Sequence, residues 1–287
     1  MRIVIFPGDA RQDYIARELK KKGHEVMLLP MKREAENAES GKEFMDCLEE
    51  MIRLSDAIVL PTPSFLMDGR IRTVKNDDRE LQFEDLTKLL SAGQTVFGSV
   101  IGEERMCRLR KNGIRVFDLM ESEEVALRNA VATAEGAIVE AISLGKGNMH
   151  DEKCLVIGFG RCGSVLAHKL KGLCRGVCVM ARRESVLTTA KVLGFETMGF
   201  DSQELAGYRY VFNTVPANVL FGSRLESLDR GCVIIDLASA PGGVDYTQCA
   251  MSDLCAKLCS GLPGKYAPEA SGVILAEEIE RSFGWKE

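Results

Sequence analysis

Gly158, Gly160 and Gly163 stand in the spacing G-x-G-x-x-G, directly after the apolar run Cys154-Leu155-Val156-Ile157. In a dinucleotide-binding turn each glycine has its own job. Gly158 lets the chain turn sharply, Gly160 removes the Cβ that would obstruct a pyrophosphate, and Gly163 lets the next helix lie close to the strand. Unpaired N–H groups at that helix start face the anion, which makes Phe159, Arg161 and Cys162 part of the expected cradle. A second apolar run, Gly176–Ala181, ends in Arg182-Arg183. About 20 residues past the glycines, an NAD-binding unit offers Asp or Glu to the ribose hydroxyls. Two guanidinium forks suit a 2′-phosphate instead, through paired charge-assisted hydrogen bonds. The pattern therefore favours NADP over NAD, with Arg182 and Arg183 on the phosphate. A solvated loop is the competing reading of these two arginines.

Two later apolar runs also end in polar residues: Tyr210–Asn213 before Thr214-Val215-Pro216, and Cys232–Asp236 before Leu237-Ala238-Ser239. Open parallel sheets bind ligands outside the carboxyl ends of their strands. Asn213, Thr214, Val215, Pro216, Asp236, Ala238 and Ser239 are accordingly expected around the nicotinamide. Near the N-terminus, Asp9-Ala10-Arg11 follows a short apolar run. Asp9 is read as a helix cap, and the helix start with the Arg11 guanidinium makes a carboxylate site. An exposed surface arginine is the competing reading there.

Positioning these residues takes two α/β units. In the first, strands near residues 2–6, 25–29, 56–60, 95–98 and 115–117 alternate with helices near 9–22, 82–91 and 103–112. Such alternation predicts a mostly parallel sheet. Residues 32–50 read as a polar loop leading into a helix, and 67–78 as a mobile loop over a site. Glu121–Leu144 is the longest stretch of helical periodicity, a spine joining two domains. Gly136 in its middle costs about 1 kcal/mol against alanine, so a backbone or a ligand should approach closely there. The second unit is expected to hold helices at 165–173, 184–193 and 202–205 and a short strand at 196–198. Gly261–Lys265 breaks the chain before a last helix at 267–283, which is expected to cross back to the first domain.

The fold class is α/β, with two doubly wound parallel sheets. The expected boundaries are an N-terminal flavodoxin-like substrate domain over 1–120 and a linking helix over 121–147. A Rossmann dinucleotide-binding domain follows over 148–262, then a C-terminal helix over 263–287 that packs on the first domain.

A chain of 287 residues, 46% hydrophobic and 28% charged, is long enough for two such domains. A formal charge of −5 leaves no electrostatic footprint for nucleic acid or an anionic membrane. No apolar stretch approaches the roughly 20 residues of a membrane span, and the N-terminal one is too short for a signal peptide. Ten cysteines are scattered, mostly inside apolar runs, and no histidine accompanies the C-x-x-x-C pairs Cys174/Cys178 and Cys255/Cys259. Buried reduced thiols in a cytoplasmic protein are expected, and no metal site. His24, His150 and His168 read as surface residues without a role.

Several segments together resemble the dipicolinate synthase A-subunit family: Gly8–Gln12, Thr133–Gly136, Gly158–Gly163, Asn213–Pro216, Asp236–Asp245 and Gly261–Pro268. They follow the family's order over nearly the whole chain. Pro241-Gly242-Gly243 and Gly261-Leu262-Pro263-Gly264 are much more specific than the glycine turn. The resemblance implies the mother-cell cytoplasm of a spore former and, as partner, a flavoprotein-like B-subunit. It also implies NADP+-dependent oxidation of dihydrodipicolinate, formed from a hydroxytetrahydro precursor by loss of water, to pyridine-2,6-dicarboxylate. A homo-oligomer is expected. For this dicarboxylate substrate, Arg11, the helix amides after Asp9-Ala10, and Lys265 would hold the carboxylates. Glu135 first and Asp236 second would take the ring proton, with Thr133 alongside. Two departures stand out: Ala240 and Glu269 occupy positions where the family carries basic residues, which points to altered substrate or reduced activity. A 2-hydroxy-acid-type dehydrogenase stays open, although such enzymes use a histidine as acid/base and none follows His168. A non-catalytic nucleotide-binding role stays open too.

Overall fold

The eleven strands among the described residues of the computed structural model pair in parallel with their neighbours; the structure describes residues 1–29, 48–66, 68–72 and 81–284. Much of the polar stretch at 32–50 and of the loop at 67–78 lies outside the described residues. The chain divides into unit 1, Met1–Ala126 with Ala267–Glu287, and unit 2, Leu127–Tyr266.

Unit 1 holds β1 (Arg2–Ile5), β2 (Glu25–Leu28), β3 (Ala57–Val59), β4 (Thr95–Gly98) and β5 (Arg115–Asp118), in the order β2-β1-β3-β4-β5. This flavodoxin-like order changes direction between β1 and β3, which makes that gap the switch point. Both faces of the sheet are apolar because helices cover both. Val4, Ile58 and Val96 pack with Ile52, Leu86 and Leu109 on one side. Ile3, Ile5, Val59 and Phe97 pack with Ile15, Leu19, Leu275 and Ile279 on the other.

The helix Pro268–Phe283 opens on proline, which has no N–H to leave unsatisfied. It lies against the helix Arg11–Lys21. A Cβ on Gly272 would stand 2.6 Å from the Tyr14 Cβ and 2.8 Å from the Arg11 carbonyl oxygen, so the two helices touch through bare backbone. Glu269 pairs with Arg17 at 2.5 Å on the surface of this helix pair. His24 is not the plain surface residue expected: its Nε2 lies 2.5 Å from Glu280 Oε1 and its ring 5.5 Å from that of Phe283.

Unit 2 holds β6 (Lys153–Ile157), β7 (Gly176–Ala181), β8 (Glu196–Gly199), β9 (Tyr210–Asn213), β10 (Val233–Asp236) and β11 (Cys255–Leu258), in the order β11-β10-β9-β6-β7-β8. Counted from β6 this is the Rossmann order 3-2-1-4-5-6, seen from the other edge. The expected fold class holds for both units. The long helix, Glu123–Gly145, sets Ala134, Ala137 and Ala141 against the core beside Val156 and Leu166. At Gly136 a Cβ would lie 2.8 Å from Tyr266 Cδ2 and 3.0 Å from Leu262 Cβ. The close approach expected there is made by side chains of a short helix, Leu262–Tyr266, formed by a segment read as a break.

Residues 202–205 are not helical. The Arg224 guanidinium takes the carbonyl oxygens of Phe200 and Ser202, and Leu205 N–H donates to Ser227 Oγ at 2.8 Å. Those backbone groups find partners outside their own segment, so no helix is needed to satisfy them. Among the described residues no helix is long and apolar enough to cross a membrane.

Replacing Gly272 with alanine wedges the two unit 1 helices apart. The expected cost is about 1–3 kcal/mol, measured by denaturant unfolding against Gly284→Ala, where the nearest atom to a new Cβ is 3.4 Å away.

Candidate functional site

The helix Arg161–Leu170 starts directly after the glycine turn, with Gly160 at its N-cap and no acidic residue in its first turn. Gly158 has φ +93°, a left-handed conformation that glycine adopts without steric cost. A Cβ on Gly163 would lie 2.2 Å from the Gly158 carbonyl oxygen, so helix and strand meet without room for a side chain. At Gly160 a Cβ would meet nothing within 4 Å. Gly160 therefore borders open space beside a helix N-terminus, where a pyrophosphate can approach bare amides. The residues present fit such a group.

The turn is tied to β7, because Gly158 N–H donates to the Met180 carbonyl at 2.8 Å. Arg182 and Arg183 follow that strand, and both are exposed. Neither forms an ion pair among the described residues. Two exposed guanidinium groups, without an ion pair among the described residues, thus stand at the end of the strand next to the glycine turn.

On the other side of β6, the residues expected around a nicotinamide divide into two sets. Asp236 is fully buried. Its carboxylate accepts from Asn213 Nδ2 (2.9 Å), Ala238 N–H (3.1 Å), Gly243 N–H (2.7 Å) and Tyr246 OH (2.7 Å). Four donors and full burial engage this carboxylate within the fold, where the sequence reading expected it to face a substrate. Asn213 also turns inward, donating to the Val215 carbonyl at 3.1 Å and accepting from Val215 N–H at 3.0 Å. Thr214 Oγ1 donates to the Ile157 carbonyl at 2.9 Å. These side chains shape the loop rather than reach from it. The surface they leave comes from half-buried Val215 and exposed Pro216 and Ser239.

In unit 1 the N-cap is Ala10, not Asp9. Asp9 sits one residue earlier and accepts Arg11 N–H at 3.1 Å, while Arg11 Nε and Nη2 reach its two oxygens at 2.8 and 2.6 Å. Nη2 also donates to the Thr62 carbonyl at 2.7 Å. Arg11 thus bridges the loops after β1 and β3, the two that flank the switch point. Its guanidinium is buried and already matched by a carboxylate, so the expected open cation for a substrate is not what forms. Partial burial pushes the Asp9 carboxyl up, but Arg11 outweighs it and, with a smaller pull from Arg72, holds it below the usual range. Arg72, exposed and without an ion pair among the described residues, was hidden from sequence reasoning inside the loop at 67–78. Nearby, Ser99 Oγ is buried without a partner, and Val100 holds φ +56°, rare for a β-branched residue.

The long helix separates the remaining candidates. Thr133 and Glu135 are two residues apart, about 200° around the helix, so they face opposite ways. Thr133 Oγ1 donates back to the Asn129 carbonyl at 3.0 Å. Glu135 is exposed and pairs with Lys169 at 2.9 Å, in the last turn of the helix whose first turn borders the glycines. The two therefore do not face one reacting centre together, and each is engaged with a neighbour on its own side of the helix.

Lys265 is engaged as well. Its Nζ lies 2.6 Å from Oε1 of Glu140, which also accepts from Tyr266 OH at 2.8 Å, while Lys257 Nζ takes Oε2 at 2.7 Å. Sequence reasoning missed Glu140. Burial of its carboxyl pushes the pKa up, but hydrogen bonds from Lys257, Lys265 and Tyr266 outweigh this and hold it at about 2. The only local hint was Gly136, one turn earlier on the same helix.

Residues 2–120 match the family model for the N-terminal domain of the dipicolinate synthase A-subunit. The dipicolinate synthase A-subunit of Bacillus subtilis (strain 168) is 26% identical over 286 residues, covering 98% of this chain and 95% of the relative. The crystal structure of the dipicolinate synthase A-subunit from Bacillus halodurans superposes with a TM-score of 0.82 at 27% identity, covering 99% of this chain and 98% of that one. D-lactate dehydrogenase from Escherichia coli shares the fold, with a TM-score of 0.67 at 14% identity over 99% of this chain and 96% of that one. The resemblance read from the glycine and proline segments holds along the chain.

Because the folded Glu140 pKa is depressed, its contribution to stability is complete above the unfolded value near 4.5 and is lost as pH falls toward 2. Glu140→Gln should therefore flatten the stability profile between about pH 5 and pH 2. The expected loss at neutral pH is about 1–2 kcal/mol, reduced by solvent screening at the half-exposed lysines; urea unfolding across that pH range measures it.

Proposed function

We propose that this relative of the dipicolinate synthase A-subunit is an NADP-dependent oxidoreductase that converts dihydrodipicolinate to pyridine-2,6-dicarboxylate. It would act with a B-subunit in the cytoplasm of a sporulating mother cell. The observation that carries the reading is the open space over Gly160 beside the exposed pair Arg182 and Arg183, in a chain that resembles the family from end to end. Bound NADP+ supplies the acceptor for the hydride that leaves the ring. The work left to the chain is to bind and orient.

In this reading the amides after Gly160 take the pyrophosphate and the two arginines take the 2′-phosphate. The inward hydrogen bonds of Asn213 and Asp236 hold Val215, Pro216 and Ser239 as the surface for the nicotinamide end. In unit 1, Arg72 and the helix start after Ala10 are the candidates for a substrate carboxylate. Losing a hydride and a proton makes the ring aromatic, so the driving force lies in the substrate and the proton can pass to water.

A second reading, a nucleotide-binding protein that only supports its partner, gains weight from the ion pairing of Arg11 and Lys265 and from the placement of Glu135. Purified chain, alone and with the flavoprotein-like partner, is given dihydrodipicolinate and NADP+ while dipicolinate absorbance is followed. Product supports the oxidoreductase; no product in either case, with NADP binding intact, supports the second reading.

Arg182→Ala with Arg183→Ala should weaken NADP binding about 10–100-fold, the equivalent of about 1.5–3 kcal/mol for a hydrogen-bonded charge. NAD affinity should stay unchanged. Calorimetric titration with both nucleotides tests this, and equal losses for the two would refute the 2′-phosphate assignment.

A further inference from the structure

Glu140 is one negative charge held by two positive ones. The residue lies in unit 2 and is 4% exposed. Lys257, on the edge strand β11, reaches its Oε2 at 2.7 Å, and Lys265, on the short helix Leu262–Tyr266, reaches Oε1 at 2.6 Å. Tyr266 OH donates to Oε1 as well, at 2.8 Å. Neutralising one buried carboxylate takes one ammonium. A second ammonium repels the first, and among the described residues neither lysine pairs with any other acid. The cluster therefore carries a surplus of one positive charge.

That surplus faces outward. The two lysine side chains are 44% and 54% exposed, against 6% for the carboxylate that joins them. An ammonium has three N–H donors, and each lysine spends one of them on Glu140. Both heads are tied to the same buried group, so their spacing is set before a ligand arrives, which lowers the ordering cost of binding. Lys257 pairs in register with Ile235, the residue before Asp236, and Cys259 N–H donates to the Asp236 carbonyl at 2.7 Å. Lys257 thus stands one strand away from the carboxyl end of β10, on the edge where open parallel sheets bind ligands.

We infer that Lys257 and Lys265, spread on Glu140, form a site for a carboxylate of a small dicarboxylic acid. The anion site follows from the surplus charge, while the choice of a dicarboxylate rests on the function proposed above. Substrate and returning product share this chemistry.

The probe is pyridine-2,6-dicarboxylate, titrated calorimetrically into the full chain at about 50 mM salt, where screening is modest. Lys257→Gln removes the surplus charge and leaves Glu140 matched by Lys265 and Tyr266. It should weaken binding at least about tenfold, as for one lost hydrogen bond to a charged group, with circular dichroism and NADP affinity unchanged. Lys257→Arg should retain most of the affinity. Lys153→Gln, at a lysine paired one-to-one with Glu196, should change nothing. Reductive methylation read by peptide mass spectrometry should show the probe slowing modification of Lys257 and Lys265 but not of Lys153. Repeating the titration with NADPH separates the sources: tighter binding marks a substrate carboxylate, equal binding marks product acting as an effector, and both support the site. No heat and no protection at about 10 mM probe, weaker than a millimolar contact of about 4 kcal/mol, overturns the inference. So does an affinity that Lys257→Gln leaves unchanged. Neither readout needs turnover, so a chain that fails to oxidise dihydrodipicolinate leaves this result standing.

Discussion

A carboxylate that solvent does not reach lies at the carboxyl edge of the second sheet. Burying a charge costs several kcal/mol unless hydrogen bonds replace the lost water. Asp236 meets that demand with donors from the end of β9, from the loop at 238–243 and from the helix Tyr246–Met251. Those three segments cannot shift independently without leaving the charge unsatisfied. The edge of the sheet that a dinucleotide would meet is therefore held in one arrangement beforehand, which favours a site that needs little reorganisation.

Compensation of this sort recurs at each charged residue with a depressed or matched partner. Asp9 is held by Arg11 and Glu140 by Lys257 and Lys265, and in both cases a cation that looked available in the sequence serves the fold. Arg182, Arg183 and Arg72 are exposed and form no ion pair among the described residues, although Arg72 lends a smaller pull to Asp9. Glu269, where the resemblance led to the expectation of a basic residue, is bound to Arg17.

The strands β1, β4 and β7 were legible because a parallel sheet covered on both faces demands continuous apolar runs. The glycine turn was legible because its chemistry is local: turn, clearance and close packing all lie within six residues. β11 was not, since Cys255-Ala256-Lys257-Leu258 is a mixed edge strand without a distinct pattern. Side-chain roles were the least readable. Thr133 and Glu135 are neighbours in sequence but opposed on the helix, and Asp236 reads as a reactive acid until its four donors are known. Glu140 finds its lysines 117 and 125 residues away, a distance at which no spacing rule operates.

Unit 1 is completed by the last segment of the chain, since Ile274, Leu275 and Ile279 share a core with Ile3 and Ile5. During synthesis the first strands therefore emerge long before the helix that shields them. At roughly 5–20 residues per second the intervening unit 2 takes on the order of ten seconds to translate. For that interval the apolar face that Ile274, Leu275 and Ile279 later cover has no partner from its own chain.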